Sequence, residues 1–306
     1  MKKICVIGSL NVDLSIRIPR FHMPGETITG STFETFTGGK GGNQAVAAAR
    51  LGFETLMVGK LGEDGNGKFY LNALLQNGVD TKFVAFVPGV ASGVALIEVD
   101  DQGENRIAIV PGTNALVDIA MIDELLPQLL LCDIFLMQLE IPIETVCYAA
   151  KVLHEHGKTV ILDPAPAIPL PESLFQAVDY LTPNQAELLL LTGMPVTSLE
   201  EAEAAAKTLL DKGTKAVIAK LGEAGSLYVS ANEVVYVQGF SVNVVDTTAA
   251  GDSFNAGLAV GLAQQNLPRE LLSFSNAVGA LSTTASGAQQ AMPTMEKVLH
   301  LLAEHR

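Results

Sequence analysis

Strand-like and helix-like stretches alternate along most of the chain, and this alternation most restricts the possible fold. Short apolar runs between turn residues predict strands, and apolar residues at helical spacing predict helices. Strands are predicted at 3–8, 55–58, 134–137, 159–162 and 216–219, and helices at 42–51, 64–77, 142–156, 184–192 and 199–212, with further helices beginning near 250, 269 and 294. Repeated β–α alternation predicts an α/β fold, a mostly parallel central sheet flanked by helices.

Two β-rich segments, at roughly 14–36 and 83–110, do not fit the alternation. They could form a small separate sheet, such as a lid over a site. A further β-rich pair is predicted at 226–237. No repeat, low-complexity tract or linker interrupts the 306 residues, so we expect a single α/β domain over 1–306.

The stretch 246–255 has the composition of a ligand-binding turn. A strand is predicted at 242–245, followed by Asp246, a run of small residues and a helix whose first turn carries Asp252. Small residues let a ligand approach the backbone, and first-turn amides can bind an anion. Asp252 could then be a base that takes a proton from a hydroxyl, or simply a carboxylate that complements the helix dipole.

The overall charge restricts the partners. The chain has 19 basic and 33 acidic residues, a formal net charge of −14, with no basic cluster. Nucleic-acid binding requires phosphate neutralisation, so no nucleic-acid partner is expected. No apolar stretch has membrane-spanning length, and no signal peptide is recognised. Three widely spaced cysteines fit a reducing compartment, so we expect a cytoplasmic protein.

Polar residues follow several predicted strands. Asn11 and Asp13 could bind sugar hydroxyls beyond the first strand, or could form an ordinary polar turn, which is the commoner case. Glu140, directly after another strand, is open to the same two readings. The glycine-rich loop 37–44 around Lys40 permits close approach of a ligand, and Asn43 could donate to and accept from a sugar.

Neither glycine–lysine stretch is a phosphate-binding P-loop. No Ser or Thr follows Gly-Lys in 37–44, and Phe69 follows it in 62–68. Asn184 and Glu187 have capping-box spacing, which explains them sufficiently, although Glu187 could also hold a hydrated magnesium ion. The glycines of 220–225 could line a nucleotide or form a turn. The five histidines lack any metal or triad pattern.

The order and content of these stretches resemble the ribokinase-like (PfkB) family of sugar and nucleoside kinases over essentially the whole length. The resemblance rests on residues 8–13 (Gly-Ser-Leu-Asn-Val-Asp), 38–45 (Gly-Gly-Lys-Gly-Gly-Asn-Gln-Ala), 137–140 (Met-Gln-Leu-Glu), 163–167 (Asp-Pro-Ala-Pro-Ala), 182–187 (Thr-Pro-Asn-Gln-Ala-Glu) and 246–252 (Asp-Thr-Thr-Ala-Ala-Gly-Asp). The glycine-rich loop at 38–45 indicates the ribokinase branch of that family.

The resemblance implies an ATP-dependent kinase acting on the primary hydroxyl of a pentose, with D-ribose as the expected substrate. Asp252 would be the general base, and the amides of Ala249, Ala250 and Gly251 would form the anion hole. The sugar would be bound by Asn11, Asp13, Gly39, Lys40, Gly41, Gly42, Asn43, Glu140 and Asp252. The ATP-binding site would be lined by Asn184, Lys220, Gly222, Gly225, Gly251 and Asn276. Glu187 would act on Mg²⁺ through a water molecule.

The resemblance also implies a monovalent cation, expected to be K⁺, bound mainly through carbonyls. The matching positions are Asp246, Thr248, Ser282, Ala285 and Gly287. Ala291 stands where ribokinases often have a hydroxyl, so one ligand is expected to be lost or replaced. The segments 14–36 and 83–110 match the family's β-lid, which implies a homodimer formed through the lid.

Alternative functions differ in how well the residues support them. Within the kinase class, 2-deoxyribose, fructose or a nucleoside could replace ribose. A catalytically silent sugar-binding regulator on the same fold is disfavoured because Asp252 and the glycines are present. A nicotinamide-dependent oxidoreductase is disfavoured further, since no Gly-x-Gly-x-x-Gly follows the first strand.

Overall fold

A computed structural model describes residues 2–305. Its strands in chain order are β1 (Ile4–Ile7), β2 (Asn11–Arg17), β3 (Thr32–Gly38), β4 (Thr55–Gly62), β5 (Asp80–Val87), β6 (Gly93–Val99), β7 (Asn105–Val110), β8 (Ile134–Met137), β9 (Thr159–Leu162), β10 (Tyr180–Leu181), β11 (Ala216–Lys220), β12 (Ser226–Ser230) and β13 (Val234–Val237).

The α-helices are α1 (Lys40–Arg50), α2 (Gly65–Gln76), α3 (Ile119–Leu129), α4 (Ile143–Glu155), α5 (Glu172–Gln176), α6 (Gln185–Thr192), α7 (Leu199–Leu210), α8 (Ala250–Ala263), α9 (Pro268–Ser282) and α10 (Met295–Glu304). Short 3₁₀ turns lie at Gly112–Leu116, Gly222–Ala224 and Gln289–Ala291. No helix in residues 2–305 combines the length and the apolar character needed to cross a membrane.

The central sheet has nine strands in the order β13-β12-β11-β10-β9-β8-β1-β4-β5. From β11 to β5 all neighbours are parallel, whereas β12 and β13 pair antiparallel at one edge. Alternate residues of β1 point to opposite faces: Cys5 and Ile7 join a core beneath α3–α7, and Ile4 and Val6 join a core beneath α1, α2 and α8–α10. The predicted parallel sheet between two helical layers is confirmed.

A second sheet of four strands, ordered β3-β2-β6-β7, stands apart from the central one. We call it the lid sheet. Strand β2 pairs antiparallel with β3 and parallel with β6, and β6 pairs antiparallel with β7. The two segments predicted to lie outside the α/β alternation therefore do meet, although not with the expected bounds.

Strand β5 corrects the expected lid boundary at residue 83. It pairs in parallel with β4 and forms the edge of the central sheet, so the second lid segment begins at Gly93. Helix α2 connects β4 to β5 as an ordinary β–α–β crossover. Apolar residues such as Phe83 and Phe86 suit an edge strand of either sheet, which is why the sequence alone did not separate them.

Two further stretches differ from expectation. Residues 242–245, predicted as a strand, are irregular, and Val244 and Val245 are more than half exposed. Val245 donates its backbone N–H to the Thr283 carbonyl instead of to a neighbouring strand. Helix α3 was absent from the prediction because Pro127, inside it, interrupts the helical pattern.

Candidate active site

Two adjoining cavities lie at the carboxyl ends of the central strands, where open parallel sheets bind ligands. The first, about 500 Å³, lies between the lid sheet and the amino ends of α1 and α8. The second, about 300 Å³, lies beside the amino ends of α6 and α8. Both are lined by Lys40, Ala249 and Asp252, so these three residues form the boundary between the cavities.

The first cavity contains most residues predicted to bind a sugar. Those that line it are Asn11, Asp13, Gly39, Lys40, Asn43, Glu140 and Asp252. Strand β2 contributes Asn11 and Asp13 from its cavity face, since residues two apart share a face. The Asn11 side-chain oxygen accepts from Asn114 Nδ2 at 2.7 Å. Glu140 accepts from the Lys40 backbone N–H at 2.9 Å and from the Ser9 hydroxyl at 2.5 Å.

The four glycines around Lys40 serve different purposes. Gly39 precedes α1 with a φ of 78°, and a Cβ there would lie 2.7 Å from the Asn11 nitrogen. Gly41 and Gly42 face the protein interior, where a Cβ would collide with Ser9 and with the Tyr70 hydroxyl respectively. Of the three glycines predicted to bind the sugar, Gly39 lines the cavity, whereas Gly41 and Gly42 do not and instead permit close packing of α1.

Asp252 lies in the first turn of α8 and is 6% exposed. Its Oδ2 accepts from Asn43 Nδ2 at 2.9 Å, and its Oδ1 accepts from Gln44 Nε2 at 3.1 Å. Burial raises the pKa of Asp252 to about 6, against the lowering effect of the Lys40 ammonium and the two amide donors. A carboxylate with this pKa is mostly ionised at neutral pH and is a stronger base than an exposed aspartate.

The turn before α8 aims backbone groups toward the cavity boundary. Ala249 has a left-handed conformation, with a φ of 59°, and precedes the first helical residue. Gly251 N lies in the first turn, where an amide has no intrahelical acceptor. The Ala250 N–H donates to the Thr247 carbonyl at 3.2 Å, so one of the three predicted anion-hole amides is engaged within the turn.

Lys40 is surrounded by carboxylates. Burial lowers the pKa of its ammonium group, but Asp252, Asp163 and Glu140 outweigh that effect and hold the pKa above its ordinary value. The side chain is therefore charged at neutral pH. Because Lys40 lines both cavities, its charge can act on groups in either of them.

Asp13 is a second carboxylate with a raised pKa. Burial, followed by repulsion from Glu140 and Asp252, raises the pKa of Asp13 to about 7. Gly38 pairs with Asn11 across the lid sheet and lies diagonally opposite Asp13, where a Cβ on Gly38 would lie 2.0 Å from Asp13 Oδ2. Hydroxyl donors of a polyol would satisfy this carboxylate cluster, since ionised carboxylates only accept hydrogen bonds.

The second cavity brings together four of the residues predicted to bind ATP. Asn184, Lys220, Gly222 and Gly251 all line it. Lys220 donates from Nζ to Asp163 Oδ1 at 2.8 Å. Gly251 is close to the same ammonium group, since a Cβ there would lie 3.5 Å from Lys220 Nζ.

Glu187 also lines the second cavity and caps α6. It accepts from Asn184 N at 2.7 Å and from Asn184 Nδ2 at 2.8 Å, while Asn184 accepts from the Glu187 N–H. The capping box recognised in the sequence is therefore present. Burial raises the pKa of Glu187, partly opposed by the Lys220 charge. A carboxylate oxygen has further lone pairs, so the cap leaves capacity for a metal-bound water.

Gly225 and Asn276 lie behind the second cavity rather than on its lining. Gly225 has a φ of 102°, and a Cβ there would lie 2.2 Å from the Val237 carbonyl oxygen. Asn276 donates from Nδ2 to that same oxygen at 3.1 Å. The two residues predicted to line ATP thus hold the loop after β13 in place.

The residues predicted to bind a monovalent cation lie on the loop before α8, at the end of α9 and on the loop that follows α9. Asp246 Oδ2 accepts from Gly287 N at 3.0 Å, and Asp246 Oδ1 accepts from the Thr248 N–H and hydroxyl at 2.9 and 2.6 Å. The Ser282 hydroxyl donates to the Gly279 carbonyl at 2.8 Å. Ala285 is exposed on the second loop, and Ala291 is buried.

Sequence reasoning missed four polar residues around this site. Asp163 and Gln44 lie inside motifs that were recognised, yet neither was assigned a role. Gln138 lies inside another, and Gln289 lies in a loop examined only for cation ligands. Their shared signal is burial, since all four are at most 3% exposed, and burial of a polar side chain cannot be read from a single sequence.

The sequence profile of the pfkB family carbohydrate kinases matches residues 1–295. The chain belongs to this family. As a pfkB member it is a sugar kinase, an enzyme that transfers a phosphoryl group to a carbohydrate.

Similar proteins support the family membership over the full length. The ribokinase of Bacillus subtilis is 41% identical over 305 residues, which cover 99% of this chain and 100% of that protein. A deoxyribokinase of Salmonella typhi is 38% identical over 295 residues, 96% of each chain. The solved structure of Arabidopsis thaliana ribokinase, complexed with ribose and ATP, superposes with a TM-score of 0.93 at 36% identity over 98% of both chains.

Proposed function

We propose that this pfkB kinase phosphorylates the primary hydroxyl of a pentose with ATP, converting D-ribose to D-ribose 5-phosphate. The observation that carries the proposal is the position of Asp252. It lies on the boundary between a carboxylate- and amide-lined cavity suited to a sugar and a cavity lined by Lys220, Asn184 and Gly222. The similarity to ribokinases, one of which binds ribose and ATP, supports the same assignment.

Asp252 is the proposed general base. It takes the proton of the sugar's primary hydroxyl as that oxygen bonds to the γ-phosphorus, and the bond from that phosphorus to the β–γ bridging oxygen breaks, releasing ADP. The amides of Ala249 and Gly251 and the Lys40 ammonium stabilise the charge on the transferred group, whereas the Ala250 N–H is engaged by the Thr247 carbonyl. The burial of Asp252 and the partial burial of Lys40 strengthen these electrostatic interactions relative to water.

The sugar is proposed to lie in the first cavity, with its hydroxyls on Asn11, Asp13, Asn43 and Glu140. Lys40 and Gly39 border the same space. Burial and repulsion from Glu140 and Asp252 raise the pKa of Asp13, and the hydroxyls of a bound sugar would supply hydrogen-bond donors that favour its ionised form. Such recognition is specific because an unfilled partner leaves a buried polar group unpaired.

The nucleotide is proposed to lie in the second cavity, its phosphates near Lys220 and Gly251 and its purine toward Gly222 and the β13 loop that Gly225 and Asn276 support. Mg²⁺ usually binds proteins through one or two carboxylates plus phosphates, and Glu187 and Asp163 offer carboxylates here. Glu187 would hold the ion through water. A bound Mg²⁺ would neutralise charge on the phosphates during transfer.

A monovalent cation, K⁺ in this proposal, is assigned to the two loops joined by the Asp246–Gly287 hydrogen bond. Carbonyls of Thr248, Ser282 and Ala285 would supply most ligands. Bound there, next to the turn before α8, the cation would steady the amides at 249–251. We expect turnover to be several-fold higher in potassium than in tetramethylammonium salts. Equal rates in the two salts would show that turnover does not depend on a bound K⁺.

The lid sheet is proposed to close over the sugar and to pair with the lid of a second copy. Its cavity face carries Ile97, Ile107 and Ile109, and the last two are more than half exposed. A second lid would cover this apolar face and exclude water from the transfer step. We expect the dimer to dissociate to a monomer in Ile107→Lys, as measured by sedimentation. Leu267→Lys, at a more exposed apolar residue outside the lid sheet, is the control.

ADP release with Mg²⁺–ATP tests the function directly. D-Ribose, 2-deoxyribose, fructose and adenosine are each compared with a reaction that lacks any acceptor, in potassium buffer. We expect the highest kcat/KM with D-ribose. Preference for 2-deoxyribose would favour the activity named for the Salmonella relative. No turnover with any acceptor would favour a catalytically silent sugar-binding regulator.

A further inference from the structure

Asp252 is held by two side-chain amides, and each amide is itself held by a glutamine. Asn43 Nδ2 donates to one carboxylate oxygen and Gln44 Nε2 to the other. Gln289 Nε2 donates to Asn43 Oδ1 at 3.3 Å. Gln138 Nε2 donates to Gln44 Oε1 at 2.7 Å. The five side chains form one chain of hydrogen bonds that is symmetric about Asp252.

The chemistry of the groups fixes the direction of every bond in this chain. An ionised carboxylate can only accept, so Asn43 and Gln44 must present their NH₂ groups to Asp252. Their oxygens then face outward and need donors, which Gln289 and Gln138 supply. Gln44 has a further constraint in the same direction, since its Nε2 also donates to Asp163 Oδ2 at 3.2 Å.

The two outer glutamines are anchored in different ways. Gln289 is 3% exposed and fully bonded: Nε2 also donates to the Tyr70 hydroxyl at 2.9 Å, and Oε1 accepts from the Thr37 hydroxyl at 2.6 Å. Gln138 is fully buried, and its Oε1 has no hydrogen-bond partner among the described residues. Gly8 makes room for that oxygen, since a Cβ there would lie 2.2 Å from it.

An unpaired buried acceptor is costly, so an amide at position 138 needs a compensating role. Leucine or methionine would fill the position without that cost. Within residues 2–305 the only hydrogen bond of the Gln138 side chain is its donation to Gln44, which points the Gln44 NH₂ group at Asp252. The unusual burial of Gln138 is therefore explained by its effect on the base.

We propose that Gln138 and Gln289 are positioning residues that orient the Gln44 and Asn43 amides, and through them aim the Asp252 carboxylate at the acceptor hydroxyl. This proposal deepens the proposed function, since it takes Asp252 to be the base. Neither glutamine touches the reacting atoms, and each acts through one intermediate amide.

Loss of either glutamine donor should change the pKa of Asp252 in a predictable direction. An amide whose oxygen has lost its partner donates less reliably to Asp252, and weaker donation to the charged form raises the pKa of that carboxyl. Substitution at 138 or 289 replaces none of the other charged groups that act on Asp252 or share its cavities, which are Lys40, Asp163, Asp13, Glu140, Glu187, Lys220, Asp246, Arg17 and Glu34. Substitution at 289 also removes the hydrogen bond to the Tyr70 hydroxyl, a loss that substitution at 138 does not share.

The test is a titration of Asp252 in ligand-free protein carrying ¹³C-labelled aspartate carboxyl groups, with the resonance assigned by its loss in Asp252→Asn. Variants Gln138→Met and Gln289→Met remove the donors without adding charge, and Gln290→Met at the exposed neighbouring residue is the control. We expect the pKa of Asp252 to rise by about half a unit or more in both variants. The control should match the wild type.

A purely structural role of Gln138 predicts different results. It would lower the melting temperature of Gln138→Met and leave the Asp252 titration and the acid limb of kcat unmoved. We expect the reverse for Gln138→Met, namely a lower kcat and a shifted acid limb. Its melting temperature should stay within a few degrees of wild type, because the unpaired Gln138 Oε1 is removed while Gln44 Oε1 loses its donor, and the two changes largely offset each other. KM for the sugar should change less than kcat.

An unchanged Asp252 titration in both folded variants overturns the proposal, and a shift in only one overturns the paired arrangement. If a methionine variant does not fold, the isosteric Gln138→Glu and Gln289→Glu replace it, with Gln290→Glu as the charge control. An ionised glutamate cannot donate, so it should reverse the adjoining amide and raise the pKa further. The titration does not depend on turnover. Absence of phosphorylation with every sugar would therefore refute the proposed function, while the effect of the two glutamines on the pKa of Asp252 could still be measured.

Discussion

Gly42→Ala should destabilise the protein although alanine is the better helix former. Gly42 lies in α1, and a Cβ there would lie 1.9 Å from the Tyr70 hydroxyl oxygen. Tyr70 is fully buried, donates to the Gly38 carbonyl and accepts from Gln289 Nε2. The ring has to move, and both hydrogen bonds are lost or stretched.

The magnitude follows from those contacts. Two hydrogen bonds contribute about 1 kcal/mol each, and the partners left unpaired in the interior cost about 1–3 kcal/mol more. The higher helix propensity of alanine relative to glycine offsets about 1 kcal/mol of this loss. We therefore expect a net destabilisation of about 2–4 kcal/mol, which for a chain of 306 residues corresponds to a fall in melting temperature of about 3–6 °C.

Melting of the ligand-free protein, followed by circular dichroism, measures this effect. Gly65→Ala is the matched control, because a Cβ at the start of α2 meets nothing within 4 Å and should leave stability equal or slightly higher. Removing the hydroxyl with Tyr70→Phe should make Gly42→Ala less costly, by about 1 kcal/mol in a double-mutant cycle. Additive effects of the two substitutions would refute the collision as the cause.

Three further predictions concern the site. The ionised forms of Asp13 and Asp252, with pKa values of about 7 and about 6, are the active ones, so kcat/KM for the sugar should fall as pH drops below 7; a plateau extending to pH 4 would contradict this. Lys220→Met should raise KM for ATP by about 10- to 100-fold, because a charge-assisted contact is lost and Asp163 is left unpaired, and an unchanged KM would place the phosphates elsewhere. Gly38→Ala should displace Asp13 and raise KM for the sugar about tenfold with kcat largely kept, whereas equal losses in kcat and kcat/KM would mean that Asp13 acts only in the transition state.

The central sheet could be predicted because its strands and helices carry strong local patterns. Strands such as β8 and β9 have the predicted bounds, and helices α1 and α4 agree within two residues. The irregular stretch at 242–245 could not be predicted, because its β-type composition says nothing about whether a neighbouring strand is available to pair with it. Pairing partners are set by tertiary structure, and a single sequence does not report them.

The candidate site shows the same division between local and non-local information. Motifs placed Asp252, Lys40 and Asn43 correctly around one cavity, because each motif combines a strand end with a helix start. The roles of Gly42 and Gln138 depend on side chains far away in sequence, namely Tyr70 and Gln44. Such contacts span dozens of residues, so spacing within a motif does not reveal them.

The turnover of Asp252→Asn tests the central claim most directly. The substitution keeps the size of the side chain and removes its ability to accept a proton, with Asp101→Asn at an exposed turn as the control. We expect kcat to fall by about 10²- to 10⁴-fold, while KM for the sugar and for ATP stays within about threefold of wild type. Near-normal turnover in a folded Asp252→Asn protein would contradict the assignment of Asp252 as the base.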